Sequence, residues 1–444
     1  MGRKRVKRRL RVVFPNCAGI DIGSREHWVA VDPAVTDESV RSFSSFSDDL
    51  EALADWLESL GVIHVAMEST GVYWIPAYEV LDQRGFEVFL VNARATRQVS
   101  GRKSDVLDCQ WIWELMSHGL LRGAFRPADK VCTLRAAVRQ RATKVADQAR
   151  CVAHMQKALV QMNVQLDQVV SDLTGKTGLA IVRAIVAGER DPGQLAKLRD
   201  HRVRASEQTI ARSLRGNWRP EHLFALTQAL DHYDFLGRQI AECDARIEQS
   251  MAALPVLMSD PPIPTKRLKS TNRSAVGQKQ LHHALCEVLG VDLTAIPCIS
   301  VDTALVIAGE IGPDLSRFPT SQHFCSWLTL APHTCISGGK PLGKPQHKVV
   351  NRAGQALKQA ASNARTSESF IGACHRARLA RMDTCKAVKA TAHQLARLIY
   401  AMLTQGQPYV EKGIAAHERQ RQERQLHALK RKARKMGLAL VEAA

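Results

Sequence analysis

The chain has 444 residues, 45% of them hydrophobic, with 62 Lys and Arg against 43 Asp and Glu and a formal net charge of +19. That length supports two or three domains with their own cores, and that charge points to a polyanionic partner. No run of about 18 apolar residues occurs, so a membrane span and a membrane partner are not expected. The cations of residues 3–11 lead into no apolar stretch, so no secretory signal is expected. The 11 Cys residues form no C-x-x-C pair. They fit scattered thiols in a reducing compartment, not zinc ribbons or a disulfide scaffold. A cytoplasmic, nucleoid-associated protein is the expectation.

Residues 1–15 read as a basic arm able to neutralise phosphates. Residues 16–125 alternate strand and helix. Strands are expected near 17–23, 27–32, 62–68 and 86–91, and amphipathic helices near 48–60, 75–84 and 104–121. This is an α/β layer fold. Two adjacent antiparallel strands followed by β-α-β units is the order of a ribonuclease-H-like domain. Residues 130–254 turn all-α, with long helical patterns near 133–170, 177–188 and 220–253. They suit a helical hairpin or coiled coil that could serve dimerisation. Residues 255–280 form a linker broken by Pro255, Pro261, Pro262 and Pro264 and rich in Lys and Arg. Residues 283–404 return to order, mostly helical, and 405–444 form a basic tail that includes Arg419, Arg421, Lys430 and Arg431. The pattern over 293–310 is helix end, tight turn, helix, with Cys298 and Ser300 where a phosphate-binding turn would use glycine.

Four carboxylates carry the chemistry. Asp21 lies in Gly19-Ile20-Asp21-Ile22-Gly23, where alternation sets it on the face opposite Ile20 and Ile22. Gly19 and Gly23 are expected to clear space beside it for a phosphate. Glu68 ends the apolar run 62–68, opposite Val65 and Met67. Asp105 and Asp108 follow Ser104, a candidate N-cap, and share one helix face at i,i+3. Oxygen ligands drawn from several elements can hold two Mg²⁺ ions against a phosphodiester. Outside this set, Ser337 precedes Gly338-Gly339-Lys340 in an exposed cationic turn, where a hydroxyl could attack phosphorus. Gly175-Lys176-Thr177 lacks the upstream glycine and strand of a phosphate loop and reads as a turn between helices.

The order Gly19-Ile20-Asp21-Ile22-Gly23-Ser24, then Met67-Glu68-Ser69-Thr70-Gly71-Val72-Tyr73-Trp74, then Ser104-Asp105-Val106-Leu107-Asp108 resembles the IS110 (IS-one-ten) family of bacterial insertion-sequence transposases. The stretch from Leu293 through Ser337-Gly338-Gly339-Lys340 to Gln355-Ala356-Leu357 is similar to that family's C-terminal transposase domain. The resemblance implies a RuvC-like N-terminal domain whose acidic tetrad is Asp21, Glu68, Asp105 and Asp108, binding Mg²⁺ or Mn²⁺. It implies a serine nucleophile at Ser337, DNA as substrate, and an active site composed across protomers of a dimer or tetramer. Some family members are guided by a structured RNA, so a guide RNA is a candidate partner. Three positions depart from the family pattern: the turn at 296–300 lacks glycines, Thr329 stands where glycine is usual, and Lys358 where arginine is usual. Two other readings stay open: a resolvase-like, metal-dependent nuclease in which Ser337 is idle, and a non-catalytic nucleic-acid-binding protein.

Overall fold

A computed structural model describes residues 11–69, 71–92, 96, 104–263, 277–332, 338 and 351–406, the backbone of 335–337 and 340–342, and parts of 408–437. It divides into two units, Met1–Arg126 and Pro127–Ala444.

The first unit runs β1 (Cys17–Ile22), β2 (Glu26–Ala30), β3 (Val40–Ser44), α1 (Ser47–Ser59), β4 (His64–Glu68), α2 (Trp74–Gln83), β5 (Glu87–Val91) and α3 (Asp105–Ser117). Its sheet has the order β3-β2-β1-β4-β5. The first three strands are antiparallel neighbours, and β4 and β5 add in parallel. This is the ribonuclease-H-like arrangement expected for the N-terminal region, with one strand more than the sequence predicts. Strand β3 escapes prediction because it is an edge strand, Val-Arg-Ser-Phe-Ser, with no buried residue to mark an alternation.

Strand alternation divides the core. Ala18, Ile20, Ile22, Val65 and Met67 face α1 and α2, where Leu53, Leu57 and Leu81 close over them. Cys17, Ala66 and Val91 face the other way, onto Ile112 and Met116 of α3. Each large apolar side chain so buried contributes about 1.5–3 kcal/mol. The two glycines beside Asp21 serve packing and turning, contrary to expectation. A Cβ on Gly19 would fall 2.2 Å from the Trp113 amide nitrogen and 2.6 Å from the Cys109 carbonyl oxygen, so α3 occupies that space. A Cβ on Gly23 would meet the Glu26 carbonyl oxygen at 2.5 Å, inside the β1–β2 turn. Of the basic arm, residues 1–10 lie outside the described residues. Its end is packed: the Val13 and Phe14 amides donate to the Ser117 carbonyl at 2.7 and 3.0 Å.

The second unit is mostly helical: α4 (Asp129–Gln161), α5 (Lys176–Val186), α6 (Pro192–Ala196), α7 (Glu207–Ser213), α8 (Pro220–Ala252), α9 (Gln278–Leu289), α10 (Val301–Ile311), α11 (Ser321–Trp327), the hairpin β6 (Cys335–Ser337) and β7 (Lys340–Leu342), α12 (Arg352–Ser362), α13 (Phe370–Leu379) and α14 (Thr384–Gln405). Helices α4 and α8, 33 residues each, pack along one another as a hairpin. Helix α4 stops at Gln161 rather than running to 170, because Asn163 takes a left-handed φ of 56°. Inside the hairpin, Arg141 Nε donates to Asp244 Oδ1 at 2.5 Å, with both side chains buried. Arg139 grips the buried Glu310 of α10 with two bonds of 2.7 and 2.6 Å. Gly175 caps α5 and Lys176 pairs with Asp200 at 3.1 Å, which agrees with the helix-linking reading.

In the turn before α10, Cys298 itself takes the left-handed conformation, φ 73°, while Ser300 caps the helix by accepting from the Thr303 amide. Thr329 is left-handed too, at φ 59°. The linker over 264–276 and most of the basic tail lie outside the described residues. Among the described residues no helix is long and apolar enough to cross a membrane.

Candidate active site

Strand register places the first two carboxylates. Ile20 of β1 pairs with Met67 of β4 in parallel, and Asp21 and Glu68 are the next residues on each strand. Their backbones are therefore neighbours at about the inter-strand spacing, roughly 4.8 Å. Alternation turns Asp21 the same way as Cys17 and Gly19, and Glu68 the same way as Ala66, onto the face that α3 covers. Across the antiparallel pairing, half-buried Trp28 stands opposite Asp21 on that face.

Helix α3 supplies the other two. Ser104 is its N-cap, as expected: the Ser104 hydroxyl accepts from the Leu107 amide at 3.3 Å. Asp105 and Asp108 occupy the first turn, the former exposed and the latter half-buried. Their charge is favoured there by the helix dipole. The contact of α3 with Gly19 brings this turn near β1. The Cys109 thiol registers it: burial pushes its pKa up to about 12, and the charges of Asp21 and Asp108 both add to the rise. These two carboxylates thus share one neighbourhood.

Glu68 is held in place. The hydroxyl of Thr96, itself 8% exposed, donates to Glu68 Oε2 at 2.9 Å. Ser69 binds the Val91 carbonyl through its amide at 2.9 Å and its hydroxyl at 3.0 Å, fixing the strand end. The chain then turns at Gly71, φ 62°, whose carbonyl accepts from Trp74 Nε1 at 3.2 Å. Sequence reasoning missed Thr96. Its only signal is a lone hydroxyl in a polar stretch, and its role depends on a contact 28 residues away.

Four hard oxygen donors on one side of a sheet are the ligand chemistry of Mg²⁺ or Mn²⁺. The set is open: among the described residues no three of these carboxylates have oxygens within 4.8 Å of one another. Like charges repel at such range, and a cation is what would draw them together. The one described group that does close to that distance is His282, Cys286 and Asp292, all buried. There His282 Nε2 lies 3.0 Å from Asp292 Oδ1, and the same oxygen accepts from the Thr294 amide at 2.8 Å. It ties α9 to the turn that follows.

Ser337 ends β6 and pairs with Lys340 across a two-residue turn. Gly338 in that turn is exposed, at φ 55°, with nothing within 4 Å of an added Cβ. The Ser337 side chain lies outside the described residues. The serine belongs to the second unit and the four acids to the first.

No curated protein matches the chain. Residues 18–164 match the family model of the IS110-type DEDD transposase, and residues 292–371 match that of the transposase IS116/IS110/IS902 family. The first match covers the sheet, its acidic strand ends and α3; the second covers the turn before α10 and the serine hairpin. Both in the order the motifs demand, they identify the chain as a member of the IS110 family of DNA transposases.

Proposed function

We propose that this transposase cleaves and rejoins DNA strands at the ends of a mobile element with a metal-binding acidic tetrad and a serine nucleophile. Asp21, Glu68, Asp105 and Asp108 hold the divalent ion, Mg²⁺ or Mn²⁺. When bound, that ion offsets negative charge on the phosphoryl oxygens. Thr96 orients Glu68, and Trp28 walls the site beside Asp21. The Ser337 hydroxyl attacks phosphorus; a phosphoserine ester forms as the P–O bond to the departing strand breaks, and the serine proton ends on that strand's leaving oxygen. In this division of labour residues 16–125 bind the ion and 283–404 carry the serine. Dimer or tetramer formation through residues 130–254 then allows acids and serine to come from different protomers. A guide RNA, with base pairing selecting the target while the protein reads backbone and shape, fits the family and the charge.

The observation that carries this reading is the juxtaposition of Asp21 and Glu68 at adjacent parallel strand ends under the helix that bears Asp105 and Asp108. The test is a plasmid recombination assay with divalent metal, with any co-purifying RNA retained and sequenced. Asp21→Asn should lose recombination at or beyond about 100-fold, the upper end of what loss of an outer-shell partner costs. Ser337→Ala should abolish the covalent protein–DNA adduct and recombination together. Survival of recombination in Ser337→Ala would remove the serine and leave a resolvase-like nuclease. Full activity in Asp21→Asn would remove the metal site as well.

A further inference from the structure

Residues 352–405 carry nine Lys and Arg against two carboxylates, Glu368 and Asp383, without any run of like charge. The fold gathers them. Helix α14 packs against both α12 and α13. Along α14, Lys389, His393 and Arg397 follow one another at i,i+4 spacing and so share a face. Lys389 and His393 are half-buried, and α12 contributes the half-buried Lys358.

Apart from Lys386, which pairs with Asp383 at 2.7 Å, the cations described here are positioned without being neutralised. Arg378 of α13 donates to the Thr391 hydroxyl at 2.9 Å and to Gln394 Oε1 at 2.6 Å. Arg376 donates to the carbonyls of Arg365 and Ser367 at 3.0 and 2.7 Å. Every one of these acceptors is uncharged. Elsewhere in the same unit, Arg183, Arg202 and Arg219 each sit within 3 Å of a carboxylate. Among the described residues Lys358, Arg378, Lys389 and Arg397 form no ion pair.

The mutual repulsion is felt. Burial lowers the pKa of Lys389, and Lys358 lowers it further. Burial also lowers that of His393, with Arg397, Arg378 and Lys389 adding to the effect. A folded protein that concentrates positive charge on a partly dehydrated face and provides no counter-charge loses stability by doing so. An external anion offsets that cost.

We propose that Lys358, Arg378, Lys389 and Arg397 form a docking face for the phosphodiester backbone of a nucleic acid strand. The identity of the polyanion rests on the reading of this chain as a nucleic-acid enzyme; the anion site itself rests on the cluster. Arg378 and Arg397 offer guanidinium forks that suit phosphate oxygens, and the lysines offer point charges. Contacts of this kind position a backbone and carry no base sequence.

The test compares two triple variants of the full chain with the same change in net charge. One is Lys358→Gln, Lys389→Gln, Arg397→Gln. The control is Arg183→Gln, Arg202→Gln, Arg219→Gln. Binding is measured in EDTA, so that chemistry at the acidic site plays no part. The probes are a random-sequence DNA duplex and a single-stranded RNA, each over a salt series. For the first triple the slope of log affinity against log salt should fall by about 0.9 per lost contact on duplex and about 0.7 on a single strand. The control slope should stay at the parent value. Loss on the duplex alone assigns the face to DNA, loss on the single strand alone assigns it to RNA, and loss on both assigns it to any phosphodiester backbone. Equal weakening by the two triples would show an effect of net charge only and overturn the proposal. The first triple should also melt at or above the parent temperature, because repulsion is relieved; a lower melting point would make these cations structural and sink the idea. Lys358→Arg with Lys389→Arg, which keeps the charge, should retain binding. Loss of binding there would equally count against a phosphate face. Full recombination in Asp21→Asn with duplex binding lost in the first triple would sink the catalytic reading alone; recombination lost in Asp21→Asn with the first triple binding as the parent does would sink this one alone.

Discussion

Cys298 and Thr329 each hold a backbone conformation that glycine adopts freely and other residues adopt at a cost of roughly 1–2 kcal/mol. Both are positions where the family resemblance leads one to expect glycine. At both positions the chain takes the left-handed backbone that a glycine would accept without strain. Cys298→Gly and Thr329→Gly should each raise stability, by about 0.5–1 kcal/mol after the larger unfolded-state entropy of glycine is set against the relieved strain. Chemical denaturation midpoints at constant slope would check this; a loss of stability in either variant would contradict it. Thr96 poses a residue-scale question of function. Thr96→Val keeps the shape and removes the hydroxyl that donates to Glu68. Recombination should fall about 10–100-fold, as for an outer-shell partner, and the divalent-metal concentration needed for half-maximal activity should rise. A change in rate with no change in metal demand would argue against a positioning role. At this scale the placement of Asp21 and Glu68 at strand ends and of Asp105 and Asp108 in a helix's first turn was legible in the sequence, because strand alternation and a helix cap fix where side chains point. Thr96 was not, because nothing local links it to Glu68.

Among elements, the helical hairpin depends on charges buried between helices. Arg141 and Asp244 meet with side chains 8% and 4% exposed, and Glu310 of α10 is gripped by α4. Arg141→Ala leaves Asp244 charged and without its guanidinium. It should cost about 3–5 kcal/mol, whereas replacing both partners by Met and Leu should be close to neutral. Thermal denaturation of the single and double variants distinguishes the two; equal losses would show that packing, not charge, holds the hairpin. The sequence announced α4 and α8 through their long apolar periodicity. It did not announce the ion pairs, whose partners lie 103 and 171 residues apart. The cationic face of α12 to α14 was hidden for the same reason. Its charges are dispersed along the chain and meet only when three helices pack. Strand β3 was missed for the opposite reason: at the sheet edge it buries too little to leave a pattern.

Over the whole molecule, pH and charge set the working range. Burial lowers the pKa of His27 in the first unit and of His375 in the second, the latter helped by Arg378, Arg365 and Arg376. A histidine whose folded pKa lies below its unfolded value, about 6.5, binds fewer protons folded than unfolded. The stability is therefore intact above about pH 6.5 and declines as pH falls through that value toward the folded pKa. Denaturation free energies measured from pH 8 to pH 5 should show this decline, and His27→Gln should flatten part of it. A stability that rises on acidification over that interval would contradict the sign. The class of the fold was readable from the order of strands and helices, and the charge of the chain already named the kind of partner.

Residue 19 has only hydrogen where any other amino acid would carry carbon, and a helix rests on the vacancy. Half of the acidic quartet rides on that helix and half on the strands beneath it. The separation of the two pairs is thus set at a position that has no side chain. An alanine here would leave every acid chemically intact yet lift one pair of them away from the other, so Gly19 acts as the spacer on which the proposed metal site depends.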